Sequence, residues 1–176
     1  SRDGTRVLTA SRDRSARLWD AVSGKAIATL DDHNGAVLSA AFAVDDGAIL
    51  TASADRAIRL WSASGELLRL FNTGDPALER AEITPDGERV LIVSRGRPPR
   101  LWDAAAGKIV ATLKGHRGVT GARLSPTGAR VLSLDAAGVA RLWSARGGEL
   151  LADLGGARAP VRVAEFAPDD QRLVTA

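Results

Sequence analysis

Short apolar runs broken by Gly- and Asp-bearing turns follow one another along the whole chain and recur with a fixed period. One set, Val7-Leu8, Ile49-Leu50, Val90-Leu91 and Val131-Leu132, follows a turn built on Asp3-Gly4, Asp46-Gly47, Asp86-Gly87 or Thr127-Gly128, and Asp169-Asp170 opens a fifth such turn. Farther along each unit comes a Trp, then a turn at Gly24, Gly65, Gly107 or Gly148, then another apolar run (26–30, 67–71, 109–113, 150–154). Four short runs in about 41 residues predict a four-stranded antiparallel meander. No gap between turns leaves the roughly 10–12 residues a stable helix needs.

The first strand of each unit is expected at about 36–43, 78–84, 119–125 and 161–167, and the second at about 6–10, 48–53, 89–94, 130–134 and 172–176. The third is expected at about 16–20, 57–62, 99–103 and 139–144, and the fourth at about 25–30, 66–71, 108–113 and 149–154. Strict alternation is missing, as in Val37-Leu38-Ser39-Ala40-Ala41-Phe42, which suits sheets covered on both faces. In the third unit, Pro98-Pro99 removes two N–H donors at the start of a strand, so this strand either begins late or belongs to a decaying unit.

The four Trp residues, Trp19, Trp61, Trp102 and Trp143, are separated by 42, 41 and 41 residues, and each closes an Arg-Leu-Trp triplet. With the Trp-Asp pairs Trp19-Asp20 and Trp102-Asp103, this period and strand count resemble the WD40 repeat family over essentially the whole chain. The resemblance implies an all-β fold, a β-propeller of four-stranded antiparallel blades. It also implies a hydrogen-bonded relay in each blade: a His before the first strand, a Ser or Thr on the second, an Asp in the following turn and the Trp. Carried over by position, the second unit has a full set, His33, Ser53, Asp55 and Trp61. The first has Ser11, Asp13 and Trp19, with its His falling upstream of residue 1. The third has Ser94 and Trp102, with Gly96 at the Asp position and no His. The fourth has His116 and Trp143, with Asp135 at the Ser position and Ala137 at the Asp position. Ser62 and Ser144 replace the Asp of the Trp-Asp pair. The relay is therefore expected to lapse in the third and fourth units. Buried His, Asp and indole groups each cost about 1–3 kcal/mol if unpaired, so they persist only in a satisfied network.

The strand tally is three, then three complete sets of four, then two. About four blades are expected, divided at 1–30, 31–71, 72–113, 114–154 and 155–176 of a single partial propeller domain whose ring is incomplete. A start at Ser1 without any Met fits a piece of a longer chain. Two chains that self-associate into a larger ring, association with missing blades, or a strained four-bladed monomer are the alternatives.

Composition narrows the chemistry. There is no Cys, hence no disulfide, thiolate metal site or thiol nucleophile. No run approaches the ~18 apolar residues of a membrane helix, and a net charge of +3 argues against nucleic acid as the partner. His33, Ser53 and Asp55 invite a hydrolase reading, but the set belongs to a recurring pattern and lacks a Gly-x-Ser-x-Gly elbow. The expectation is no catalytic residue, no metal and no cofactor. Arg17, Arg59, Arg100 and Arg141, two residues before each Trp, are expected to pack their stems and keep solvated heads.

The WD40 resemblance also implies that the loops gather at two ends of the propeller. The fourth-to-first and second-to-third connections carry Arg12, Arg14, Arg56, Arg95, Arg97, Lys114, Arg117 and Arg158 against Asp13, Asp31, Asp32, Asp55 and Asp75. The opposite end is acidic, with Asp45, Asp46, Asp86, Glu88, Asp169 and Asp170. The expected function is a non-catalytic, cytoplasmic scaffold that binds protein or peptide segments, acidic or phosphorylated, through Arg12, Arg14, Arg95 and Arg97 on the basic end. The alternatives are a structural repeat that oligomerises through open edges and, after it, a propeller enzyme.

Overall fold

The computed structural model describes residues 1–43, 46–155 and 160–176; Asp45 and Arg158, assigned above to the two loop ends, lie outside them. The described residues form strands and turns without a helix. A three-stranded sheet comes first: β1 (Arg6–Ala10), β2 (Ala16–Asp20) and β3 (Ala26–Leu30). Three four-stranded sheets follow. They are β4 (Val37–Phe42) to β7 (Leu67–Asn72) through β5 (Ala48–Ser53) and β6 (Ala57–Ser62); β8 (Leu78–Ile83) to β11 (Lys108–Thr112) through β9 (Arg89–Ser94) and β10 (Arg100–Asp103); and β12 (Val119–Leu124) to β15 (Leu150–Asp153) through β13 (Arg130–Asp135) and β14 (Ala140–Ser144). A two-stranded sheet, β16 (Ala164–Phe166) and β17 (Leu173–Thr175), ends the series. The pairings from β1 to β3, β4 to β7, β9 to β11, β12 to β15 and β16 to β17 are antiparallel, and the all-β expectation of four-stranded antiparallel sheets holds.

The chain divides into two compact units, Ser1–Ala81 and Glu82–Ala176. In the first, Ala16, Leu18, Leu30, Val37, Ile49 and Trp61 form one core between the first two sheets. In the second, Leu91, Val93, Leu101, Leu113, Leu124, Val131 and Trp143 form the equivalent core between the third and fourth. Central strands β5 and β9 are buried beyond their first residue, because both of their faces are covered, whereas outer β7 exposes most of its side chains. This is why the strands read as apolar runs rather than alternations.

Register puts each Trp in one matching place. Trp19, Trp61, Trp102 and Trp143 lie opposite Val7, Ile49, Val90 and Val131. At every Trp, pairing with the outer strand slips by one residue. The residue left over is Ile27, Leu68, Val110 or Leu151, each exposed at 40% or more. These are β-bulges at the same position of four sheets, which twist the outer strand locally. In the third sheet the late start prevails: β10 begins at Arg100 rather than at 99. Pro99 still accepts a bond from the Leu113 N–H at 2.9 Å, so only the donors that proline lacks are lost.

Candidate functional site

In the second sheet the strands converge on His33, whose side chain is buried. Its Nδ1 lies 3.0 Å from Asp55 Oδ2 and its Nε2 2.7 Å from Thr51 Oγ1. The Trp61 indole N–H donates to the same Thr51 oxygen at 2.8 Å. Arg59 Nη1 lies 2.5 Å from His33 Nδ1 and 2.9 Å from Asp55 Oδ2, while Arg59 Nε donates to Asp32 at 2.7 Å. Either tautomer of a neutral imidazole is satisfied: Nδ1 meets a carboxylate and a guanidinium, and Nε2 meets a hydroxyl that can donate or accept.

This geometry corrects two sequence expectations. The hydroxyl joining His33 to Trp61 belongs to Thr51, not Ser53. Ser53 Oγ instead donates to the Gly35 carbonyl at 2.9 Å and accepts the Asp55 N–H at 3.1 Å, shaping the turn that presents Asp55. Residues 51 and 53 point to the same side of a strand, and register puts the nearer one within reach of the indole. The Arg59 head is not solvated either: it is 5% exposed and takes part in the network.

The fourth sheet carries a complete network where a lapse was expected. His116 Nδ1 is 3.1 Å from Asp135 Oδ2, its Nε2 is 2.5 Å from Ser133 Oγ, and the Trp143 indole donates to Ser133 at 2.7 Å. Asp135 stands two residues before the position of Asp55 and reaches the ring from the end of β13, so Ala137 leaves no gap. Its Oδ1 also accepts the Ala137 and Val139 N–H groups, turn-shaping work that Ser53 and Asp55 share in the second sheet. Arg141 repeats the Arg59 arrangement more loosely, with Nε on Asp153 at 3.0 Å and Nη1 3.3 Å from His116 Nδ1.

In the first sheet Trp19 donates to Thr9 Oγ1 at 2.9 Å, again not to Ser11, which accepts the Asp13 N–H at 3.1 Å. Asp13 is exposed and holds Ser15 and Arg17. In the third sheet Ile92 occupies the hydroxyl position, and the buried Trp102 indole N–H has no hydrogen-bond partner among the described residues. Ser94 is not its acceptor; its Oγ lies 3.5 Å from Arg100 Nη2. The hydroxyls missed by position share one sequence signal: Thr9, Thr51 and Ser133 each precede their Trp by ten residues.

Electrostatics follow the contacts. Burial pushes the His33 pKa down and outweighs the opposing bond to Asp55, so the ring is held neutral. Burial opposes ionisation of Asp55, yet the bonds from His33 and from the Asn34 and Ala57 N–H groups hold its pKa at about 2. Asp135 is likewise held at about 2, against burial, by the Val139 and Arg117 N–H groups and by His116. The geometry fastens loops and strands together. Among the described residues, no group of three or more His, Cys, Asp or Glu side chains is placed to hold a metal ion.

The arginines expected to meet a partner are all exposed: Arg12 and Arg14 in the β1–β2 turn, Arg95 and Arg97 in the β9–β10 turn. Within the first unit, the β1–β2 and β5–β6 turns are joined by a short segment, through Val37 N–H to Ser11 O at 3.0 Å and Ala54 N–H to Ala36 O at 2.9 Å. That brings Arg56 to the same end as Arg12 and Arg14. Arg14 and Arg56 have φ of 77° and 68°, at a turn position where the fourth sheet has Gly138 at 76°.

A repeat model described as "WD domain, G-beta repeat" matches residues 1–20, 24–62 and 107–144. The unmatched stretch between the last two contains Ile92 and Gly96, where the third sheet departs from its siblings. The chain is also 37% identical over 90 residues to eukaryotic translation initiation factor 3 subunit I of Kluyveromyces lactis. That match covers 49% of the chain but only 25% of the relative, so the chain spans much less than the relative's length. With recurrent sheets, one matching place for every Trp and the repeat model covering more than half its length, this chain belongs to the WD40 (WD domain, G-beta repeat) family.

Proposed function

We propose that this chain is a non-catalytic protein-interaction module, a part of one partial propeller domain, whose basic loop end binds acidic or phosphorylated peptide segments. Family membership and likeness to a protein named as a subunit support a scaffolding role in general. Residence in the cytoplasm is proposed on the same likeness; no helix among the described residues is long and apolar enough to cross a membrane.

The observation that carries the acidic-partner reading is local. The guanidinium groups of Arg12, Arg14 and Arg56 stand on two joined, exposed turns and make no hydrogen bond or ion pair among the described residues. A left-handed backbone disfavours a residue with a Cβ by roughly 1 kcal/mol, so two arginines there point to a use outside the fold. A carboxylate or phosphate can take a guanidinium bidentately. Arg95 and Arg97 extend the proposal to the β9–β10 turn.

The test is a panel of acidic, phosphorylated and neutral peptides presented to the chain, to Arg12→Glu/Arg14→Glu and to Arg95→Glu/Arg97→Glu. Binding of acidic peptides that falls at least tenfold in the reversed variants supports the reading. A set of ligands that both variants bind as well as the parent does would refute it. Light scattering on the same samples addresses self-association through open edges.

A further inference from the structure

We propose a second binding site: a cleft of about 400 Å³ between the β8–β9 and β12–β13 turns that takes a partner segment carrying an aromatic ring beside a carboxylate, on Arg89. It lies at the opposite end of β9 from the β9–β10 turn and does not depend on the reading given above.

The proposal comes from a device that the molecule builds twice. At the start of β1, Arg6 places its guanidinium 5.3 Å from the centre of the Phe42 ring in the next sheet, and its Nη2 donates to the Asp46 carbonyl at 3.0 Å. At the start of β13, Arg130 does the same three repeats later. Its guanidinium is 5.6 Å from the Phe166 ring centre, and its Nη2 grips Asp170 through the carbonyl and, at 2.7 Å, the carboxylate. Both aspartates sit in the left-handed region, each with φ of 57°. The device thus comprises an arginine from one sheet and a ring plus an acidic turn residue from the next.

Arg89 occupies the same first position in β9, but the fourth sheet supplies neither counterpart. Leu124 stands where the ring would be and Gly128 where the aspartate would be. The chain cannot simply restore the acid, since a Cβ on Gly128 would strike the Pro85 ring. Arg89 is held from other sides: Nη1 binds Asp103 Oδ2 and the Glu88 carbonyl, both at 3.0 Å, and Nε binds the Arg146 carbonyl at 3.2 Å. Those bonds run through Nε and Nη1, whereas its two siblings grip the neighbouring turn through Nη2.

The cleft lies at this substituted junction, lined by Arg89 and Arg146 with Thr127 and Gly128 across from Thr84. Of the two acidic side chains on its wall, Asp86 is occupied by the Thr84 hydroxyl at 2.5 Å and the Glu88 N–H at 2.9 Å, and Glu88 is exposed. The volume lies within the roughly 300–1,000 Å³ of ordinary ligand pockets, enough for a ring and a carboxylate together. Asp103 competes for the same guanidinium, which makes binding weak in the parent and gives the test its sign.

The experiment titrates the 176-residue chain with acetyl-Asp-Phe-amide and follows the backbone amide resonances of Thr127 and Gly128. Saturable shifts are expected, with acetyl-Asn-Phe-amide and acetyl-Asp-Ala-amide each binding several-fold more weakly. Arg89→Gln should weaken binding at least tenfold. Asp103→Asn, which removes the competing charge but keeps the oxygen that caps Ala105 and Ala106, should tighten it. A purely structural Arg89 would show no such tightening, and this second variant decides the matter if Arg89→Gln does not fold. Arg12→Glu/Arg14→Glu should bind the probe unchanged, so the two sites fail or stand separately. Equal binding of the Asp and Asn probes, or no tightening in Asp103→Asn, would overturn the proposal.

Discussion

The second and third sheets have the same strand order and the same Trp register, yet they solve the burial of the indole differently. In the second, the Trp61 indole N–H donates a hydrogen bond to Thr51, whose hydroxyl also meets His33 in a network with Asp55 and Arg59. In the third, Ile92 replaces the hydroxyl, Gly96 the carboxylate, and the buried indole N–H of Trp102 has no partner among the described residues. The sheet forms in both cases. Apolar stacking and backbone pairing are therefore what make a sheet here, and the polar network is an added fastening between the loop before the first strand and the turn after the second.

That difference is sharpest where a charge is removed. Asp55→Ala takes the carboxylate from His33 and leaves the buried Arg59 held by Asp32, and is expected to destabilise by about 2–3 kcal/mol. Asp20→Ala, which strips an exposed turn of its bonds to Ser23, should move the urea midpoint far less. Equal midpoint shifts would mean that the network contributes nothing particular.

Next comes the hydroxyl itself. Thr51→Val removes the acceptor of one buried N–H and the partner of His33, at a cost of about 2 kcal/mol. Ile92→Thr offers Trp102 an acceptor but loses apolar contact, so its net effect should stay within about 1 kcal/mol, read from the same denaturation curves.

Acid should separate the sheets as well. Asp55 and Asp135 have folded pKa values of about 2 against 3.8 in the unfolded chain. Their contribution, about 2 kcal/mol each, is fully present above pH 3.8 and is lost as pH falls through 2. His33, lowered in the fold, adds a loss that begins below pH 6.5, because the unfolded chain takes up that proton first. A stability curve flat from pH 7 to 3 would contradict both. The smallest effect concerns the strained turn: Arg56→Gly should stabilise by up to about 1 kcal/mol while weakening binding of acidic peptides, measured by thermal unfolding and peptide titration.

The sheets were legible because a Trp every 41 or 42 residues fixes the period and Gly or Asp marks each turn. The network was less so. On a strand, residues two apart share a side, so Thr51 and Ser53, or Asp135 and Ala137, are equivalent until register shows which one faces the indole or the imidazole. The constant ten-residue spacing to Trp carries that information, and it also exposes Ile92 as the exception. Arg59 was misread for a related reason: a solvated head is the ordinary state of a strand arginine, and only the convergence of Asp32 and Asp55 brings it inside. The bulges at the four Trp residues have no sequence mark, since Ile27, Leu68, Val110 and Leu151 look like core residues and are exposed.

The most direct test observes the four indole N–H groups at once by ¹H–¹⁵N NMR. Trp61 and Trp143 should lie downfield and exchange slowly. Trp102 should lie upfield of both, and Thr51→Val should move Trp61 alone toward it. Should Trp102 prove as strongly hydrogen-bonded as Trp61, or should Trp61 ignore the loss of the Thr51 hydroxyl, the distinction between fastened and unfastened sheets would be wrong.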